Sequence, residues 1–290
     1  MYYIIINPIA GKGNSLRALK TVETILIGKK TEYEVLRTTH PGHASELTKE
    51  ICDKNDENST IIALGGDGTY NEILNGITDF TKVIVGFIPC GTGNDYVKAT
   101  KIPKITQEAL ELILKGDVCY TDFIQLENKR ALNCTGSGMD VDVLLRYARM
   151  KAFHGKIKYY ASLIDTLFHL KFHKMKITID GIVQEKSVFM LAVANGTCFG
   201  GGMPISPESK VDDGKFNVII INEVKKKRVL PLLIKFLKGK HLKDPATESY
   251  LAEEVIIELL DDGATQVDGE VFVNKIMDCK LIHNTLRTFK

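Results

Sequence analysis

The 290-residue chain lacks a strong charge of either sign: 38 Lys and Arg face 36 Asp and Glu, for a formal net charge of +2. A dedicated nucleic-acid binder carries a strongly basic domain, so nucleic acid is not an expected partner. The chain also lacks an apolar run fit to span a bilayer. Its longest charge-free stretch of note, from Ser187 to Pro207, is filled at its end by the turn formers NGTCFGGGMPISP. The opening MYYIIINP has neither the basic start nor the apolar length of a signal peptide. No CxxC pair occurs among Cys52, Cys90, Cys119, Cys134, Cys198 and Cys279, which read as reduced, mostly buried small hydrophobes. A cytoplasmic protein without a transmembrane segment is expected. With 44% apolar and 26% charged residues the chain is neither disordered nor collagen-like, and its length suits one large domain or two ordinary ones.

Glycine and proline, at 24 and 8, are near average in number, so their information lies in where they cluster. Short apolar runs (YYIII, YEVLRTT, TIIAL, VIVGFIP) alternate with helical patterns (LRALKTVETIL, His43 to Cys52, YNEILNGI, QEALELILKG). That alternation predicts a doubly wound parallel α/β sheet over residues 1–125. After about Thr121 the texture becomes antiparallel: KMKITID, IVQEKSVFMLAVANG, KFNVIIINEV, EVIIELLDDG and KIMDCKLIH, interrupted by helices near Tyr159 to Phe172 and Val229 to Leu237. The dipeptide Asp180-Gly181 suits a tight type I′ turn. Residues 126–290 are therefore expected to form a β-rich, sandwich-like second domain, with the last strand a candidate to return to the first. The first part carries 13 Lys and Arg against 16 Asp and Glu, the second 25 against 20. No repeat or low-complexity linker separates them, so a cleft between packed domains is expected.

Three glycine clusters follow predicted strands. Asn7-Pro8-Ile9-Ala10-Gly11-Lys12-Gly13 leads into a helix, where free N–H groups and the positive end of the helix dipole suit phosphate. It is not a Walker A loop, since Asn7 stands where that motif needs glycine and Gly13 follows Lys12. In Gly65-Gly66-Asp67-Gly68-Thr69-Tyr70-Asn71-Glu72 the glycines permit close approach of phosphate, and Thr69 can supply a hydroxyl. Asp67 places a carboxylate in a loop otherwise built for anions, which suits a metal ion, its waters or a hydroxyl losing its proton; a β-turn with a capping aspartate is the plain alternative. Pro89-Cys90-Gly91-Thr92-Gly93-Asn94-Asp95 repeats the arrangement after the next strand, at the sheet edge where such folds bind ligands.

The ordered set NPxAGKG, GGDGT followed by NE, PxGTGND, SPxxxxDDG and DGE spans the whole chain. It resembles the diacylglycerol kinase catalytic domain of soluble bacterial lipid kinases, a family similar to sphingosine and ceramide kinases. The resemblance implies ATP in the cleft, a lipid hydroxyl as acceptor and diacylglycerol as the leading substrate. It places the nucleotide against Asn7, Pro8, Ala10, Gly11, Lys12, Thr38, Gly65, Gly66, Asp67, Gly68, Thr69, Asn71, Thr92, Asn94 and Asp95. Thr38 is placed by counting back from Gly42. It implies a structural Mg²⁺ held by the Asp213 carboxylate and the carbonyls of Lys210 and Lys215, a hard-oxygen set; otherwise Asp212-Asp213-Gly214 is a turn. It assigns the base to Glu270, with Asp268 and Asp67 beside it in the catalytic set. The protein would meet its lipid at a membrane surface, with a homodimer left open.

NAD kinase shares GGDGT followed by NE but lacks the GTGND segment and the DDG turn; a nucleotide-binding regulator without chemistry is the rival of another class. His40, His43, His169 and His173 read as solvated surface histidines. Lys225-Lys226-Lys227-Arg228 reads as the solvated basic end of a helix, with docking on anionic lipid as the alternative.

Overall fold

A computed structural model describes residues 1–54, 58–151 and 155–290. The first unit is a parallel sheet of β1 (Tyr2–Ile6), β2 (Tyr33–Arg37), β3 (Ser59–Gly65) and β4 (Val83–Pro89), in the order β2-β1-β3-β4. Helices α1 (Asn14–Gly28), α2 (His43–Lys54), α3 (Asp67–Gly76), the short α4 (Asp95–Lys98) and α5 (Thr106–Lys115) follow the strands in turn. β1 and β3 read as unbroken apolar runs because both faces are covered, and Ile4, Ile5, Ile6, Ile61, Ile62 and Leu64 have no exposed surface. The chain leaves β1 for β2 on one side and resumes with β3 on the other. This makes the β1–β3 boundary a topological switch point, where the loops at the carboxyl ends open a crevice. The register pairs Ile6 with Arg37 and Leu64, and Gly65 with Pro89, so the loops after β1, β3 and β4 begin side by side.

The second unit is antiparallel. It comprises β5 (Val118–Gln125), β6 (Arg130–Ala131), β7 (Cys134–Gly138), β8 (His173–Ile179), β9 (Ile182–Ala194), β10 (Phe216–Asn222), β11 (Thr247–Ala252), β12 (Glu254–Leu259), β13 (Thr265–Val267), β14 (Glu270–Phe272) and β15 (Ile276–Phe289). The first half of β9 pairs with β8, and its second half lies between β7 and β10, so this one strand joins the two parts of the eleven-stranded sheet. Asp180 and Gly181 both take positive φ, 44° and 84°, at the β8–β9 hairpin, as a type I′ turn requires. α6 (Met139–Arg149), α7 (Gly155–Phe168) and α8 (Lys226–Leu237) complete the unit. α7 ends at Phe168 rather than at Phe172, because β8 begins at His173. β15 runs antiparallel to β12 and then, past an irregularity at Ile282–Leu286, to β5. Its buried Leu286 and Phe289 join the apolar core around the parallel sheet.

Of the histidines expected on the surface, His173 is buried and its Nε2 lies 3.0 Å from Asp142 Oδ2; the hydrogen bond raises its pKa against the effect of burial. All six cysteines are free, five of them buried.

Candidate active site

The glycine loops are welded to one another, and each glycine has its own reason. Gly11, Lys12 and Gly13 take φ of 58°, 58° and 88°. Successive left-handed residues turn their N–H groups to one side, a concave anion cradle at the N-terminus of α1. A Cβ on Gly11 would lie 1.9 Å from the Cys90 carbonyl oxygen, and one on Gly66 2.9 Å from Gly91 Cα. The first loop thus packs on the third, and the second loop on the third, backbone against backbone. Cys90 and Gly91 both donate to the Gly65 carbonyl, at 2.7 and 3.0 Å. Beneath them Tyr70, Phe87 and Tyr96 stack edge to face, with centroids 4.8 and 5.4 Å apart, and fix α3 and α4 on β4. Gly68, by contrast, has open space around its missing Cβ. Gly11→Ala should therefore cost about 2 kcal/mol or more in urea unfolding. Gly68→Ala should leave stability within about 1 kcal/mol of wild type. Equal stability losses in the two variants would refute this division of labour.

Where the loops meet the second unit lies a cavity of about 210 Å³, lined by the carboxylates Asp67, Asp95, Asp140 and Asp268 and by Leu144, Tyr159 and Phe199. Asp67, in the first turn of α3, accepts from the Tyr96 N–H at 3.1 Å. Its Oδ2 faces Gly93, where a Cβ would lie 3.0 Å away. Burial raises its pKa, and the neighbouring Asp95 adds to the rise. Beside the α1 N-terminus a further cleft of about 330 Å³ is lined by Asn14, Arg17, Gly91 and Lys104, two of them cationic. Sequence reading did not single out Arg17 or Lys104, since neither belongs to a glycine motif.

Several residues expected to touch ligand also serve as struts. Asn94, at φ 49°, accepts from Gly91 N–H at 3.0 Å and donates to its carbonyl at 2.9 Å, closing its own loop. Asp95 is buried; Oδ1 pairs with Lys98 at 2.7 Å and Oδ2 accepts from Gly201 N–H at 2.7 Å, joining the two units. Asn71 donates to Asp268 Oδ2 at 2.7 Å and to the Arg130 carbonyl at 2.8 Å, so both its amide hydrogens go to the second unit. Thr69 is buried against Gly65, whereas Thr92 is exposed at its loop tip. Thr38 donates its N–H to Ile6 at 2.9 Å, which sets it beside the start of the first loop.

Asp268 accepts four hydrogen bonds: from Asn71 and from the N–H groups of Leu132, Asn133 and Cys134, at 2.7 to 3.0 Å. Burial nevertheless lifts its pKa to about 6. Asp268 and Gly269 both take positive φ and form the two-residue turn from β13 to β14, which presents Glu270 at the strand's first position. Glu270 is exposed and pairs with Lys129 at 3.2 Å, and it is not among the residues lining the cavity. Arg130, which no motif marks, donates to the Leu74 and Ile77 carbonyls at 3.0 and 2.7 Å, at the C-terminal end of α3.

In the Asp212-Asp213-Gly214 turn, Asp213 Oδ1 accepts from Lys215 N–H at 3.1 Å, while Lys215 Nζ pairs with Glu253. The turn is held by Asp122, a fully buried carboxylate that accepts from Gly214 N–H at 2.9 Å and Asn284 N–H at 2.8 Å.

Residues 1–126 match the diacylglycerol kinase catalytic domain, and residues 133–288 match the YegS C-terminal NAD kinase beta sandwich-like domain. A diacylglycerol kinase of Staphylococcus aureus (strain bovine RF122 / ET3-1) is 30% identical over 273 residues, covering 92% of this chain and 85% of that protein. The chain belongs to the diacylglycerol kinase family. A diacylglycerol kinase of Staphylococcus saprophyticus is 28% identical over 271 residues, with 92% and 88% covered. A crystal structure of a diacylglycerol kinase from Bacillus anthracis str. Sterne superposes with a TM-score of 0.72 at 23% identity, covering 99% of this chain and 96% of that one, which shows the shared fold. The protein is a lipid kinase, and none of its described helices is long and apolar enough to cross a membrane.

Proposed function

We propose that this diacylglycerol kinase relative transfers the γ-phosphoryl group of ATP, with Mg²⁺, to the hydroxyl of diacylglycerol at a membrane surface, giving phosphatidic acid. One observation carries the reading. The three glycine loops pack backbone against backbone, and Asp67 and Asp95, from the second and third of them, line a cavity shared with Leu144, Tyr159 and Phe199 of the second unit. The first loop and the α1 N-terminus, with Arg17 and Lys104 alongside, cradle the triphosphate. Glu270, presented by the turn at Asp268-Gly269, takes the hydroxyl proton as the lipid oxygen bonds to the γ-phosphorus and the bond to the β-phosphate bridging oxygen breaks.

The donor sets fit a divalent cation. Asp67 faces a space left open by Gly93, and Asp213 with the carbonyls of Lys210 and Lys215 offers the hard oxygens that Mg²⁺ prefers. Asp67 would hold a cation that would supply charge neutralisation for the phosphates, and Asp213 would hold one beside the turn that Asp122 anchors.

Purified protein, Mg²⁺, ATP and diacylglycerol in mixed micelles should give phosphatidic acid by mass spectrometry, and NAD⁺ in place of lipid should give no product. Phosphorylation of NAD⁺ alone would transfer the assignment to the NAD kinase reading.

A further inference from the structure

The basic run Lys225-Lys226-Lys227-Arg228 opens α8, a helix with two unlike faces. Val229, Leu232, Leu233 and Phe236 are buried and join the apolar core that covers β9 and β10. Leu230, Ile234 and Leu237, at the i, i+4 and i+7 spacing of one helical stripe, are 61%, 45% and 49% exposed, and Pro231 beside them is exposed too. Lys227 and Lys238 continue the same stripe at its two ends, three residues before Leu230 and four after Ile234. Large apolar side chains gathered on one stripe, unlike those scattered singly, mark an interaction surface.

The charge around the stripe has one sign. From Val224 to Lys243 the chain holds eight Lys and Arg and no Asp or Glu. Two of the eight, Arg228 and Lys235, turn to the buried Asp244 at 2.8 and 2.6 Å, which ties α8 to the segment before β11. Lys225, Lys226, Lys227, Lys238, Lys240 and Lys243 are exposed, and none forms an ion pair among the described residues. Unneutralised cations around an apolar stripe fit an anionic bilayer: the lysines meet the headgroup charge while the leucines and isoleucine enter the boundary below it. A second copy of this face would bring lysines against lysines, and a nucleic acid would leave the apolar stripe unused. We propose that α8 docks the protein on anionic membrane, lying in the interface with Leu230, Ile234 and Leu237 toward the lipid. The proposal rests on the lipid-kinase reading and names the surface through which the enzyme meets its lipid. On the opposite side of the helix Phe236 packs against Phe199, with ring centroids 6.2 Å apart, and Phe199 lines the cavity that holds Asp67. Seated in this way, α8 sets Phe199 about 10 Å, one helix diameter, from the lipid.

Co-sedimentation of the full chain with vesicles reads the docking, and turnover of a short-chain diacylglycerol dissolved as monomer reads the chemistry without a membrane. Wild type should bind mixed phosphatidylcholine and phosphatidylglycerol vesicles about tenfold or more tightly than pure phosphatidylcholine, and added salt should remove most of the difference. The charge variant Lys226→Glu/Lys227→Glu/Lys238→Glu should fall to the level of neutral vesicles, and Leu230→Gln/Ile234→Gln should weaken binding to anionic vesicles about tenfold. Both variants place helix-forming residues at exposed positions, so melting temperature and monomer turnover should match wild type; if the charge variant does not fold, the glutamine pair decides. Anionic-vesicle binding that both variants retain, or wild type without preference for anionic vesicles, overturns docking by α8 and leaves the lipid-kinase reading standing. Loss of binding in the charge variant alone overturns the entry of the apolar stripe into the interface. Vesicle binding as expected, with no phosphorylation of diacylglycerol by wild type, overturns the acceptor reading and leaves the docking standing.

Discussion

Glu270→Gln is expected to bind ATP as tightly as wild type and to lose kcat by about a hundredfold or more, the scale of a general base removed from a proton transfer. The side chain is 64% exposed and its ion pair with Lys129, at 3.2 Å, lies on the surface. Exposed pairs of this kind contribute about 0–1 kcal/mol, so the variant should melt within a degree or two of wild type. The combination separates chemistry from structure: activity falls while fold and nucleotide affinity stay. Lys129→Ala should change kcat only a few-fold, because Glu270 is placed by the β13–β14 turn and by its pairing with Val267, not by the lysine. Wild-type kcat in Glu270→Gln would remove the residue from the mechanism.

The layers of the fold were legible in the sequence because each strand of the parallel sheet is a short apolar run punctuated by glycine, and each antiparallel strand alternates. The loop positions were legible for the same reason: Gly11, Gly66 and Gly91 stand where two backbones touch. What local pattern does not show is which polar side chain a loop residue will meet. Asn71 and Asp268 are 197 positions apart, and Asp268 and Asn133 are 135 apart, yet they share one hydrogen-bond cluster. Asn71, Asn94 and Asp95 therefore read as ligand contacts, and their part in holding loops and joining the two units is visible only in the fold. Asp140, Asp122 and Arg130 carry no sequence signal for the converse reason. Each sits outside a glycine motif and becomes prominent only once burial is known, as with Asp140 at 8% exposure and Asp122 at none.

Asp268→Asn is expected to be the most destabilising single change in the site, by about 3 kcal/mol or more in urea unfolding at pH 7, with turnover falling alongside. Oδ1 accepts from two backbone N–H groups and Oδ2 from a backbone N–H and the Asn71 amide. An asparagine must turn its NH₂ toward one of these pairs, leaving buried donors facing a donor, at about 1–3 kcal/mol for each group left unpaired. The pH dependence gives the claim a sign. The native pKa of about 6 lies above the unfolded carboxylate value of about 4, so the folded state holds the proton more tightly. The contribution of this group is then full below about pH 4 and declines as pH rises through 6. The stability gap between wild type and Asp268→Asn should accordingly narrow by about 2–3 kcal/mol from pH 4 to pH 7 and stay level above that. Taking the difference between the two proteins cancels carboxylates that titrate the other way, such as Glu248, whose pKa is lowered to about 2 by Lys186, Tyr250 and Asn222 against the opposing effect of burial. A gap that widens with rising pH would mean that the four hydrogen bonds outweigh burial and hold the Asp268 carboxylate ionised throughout, while a gap near zero would show that the strut between α3 and β7 does not hold the two units together.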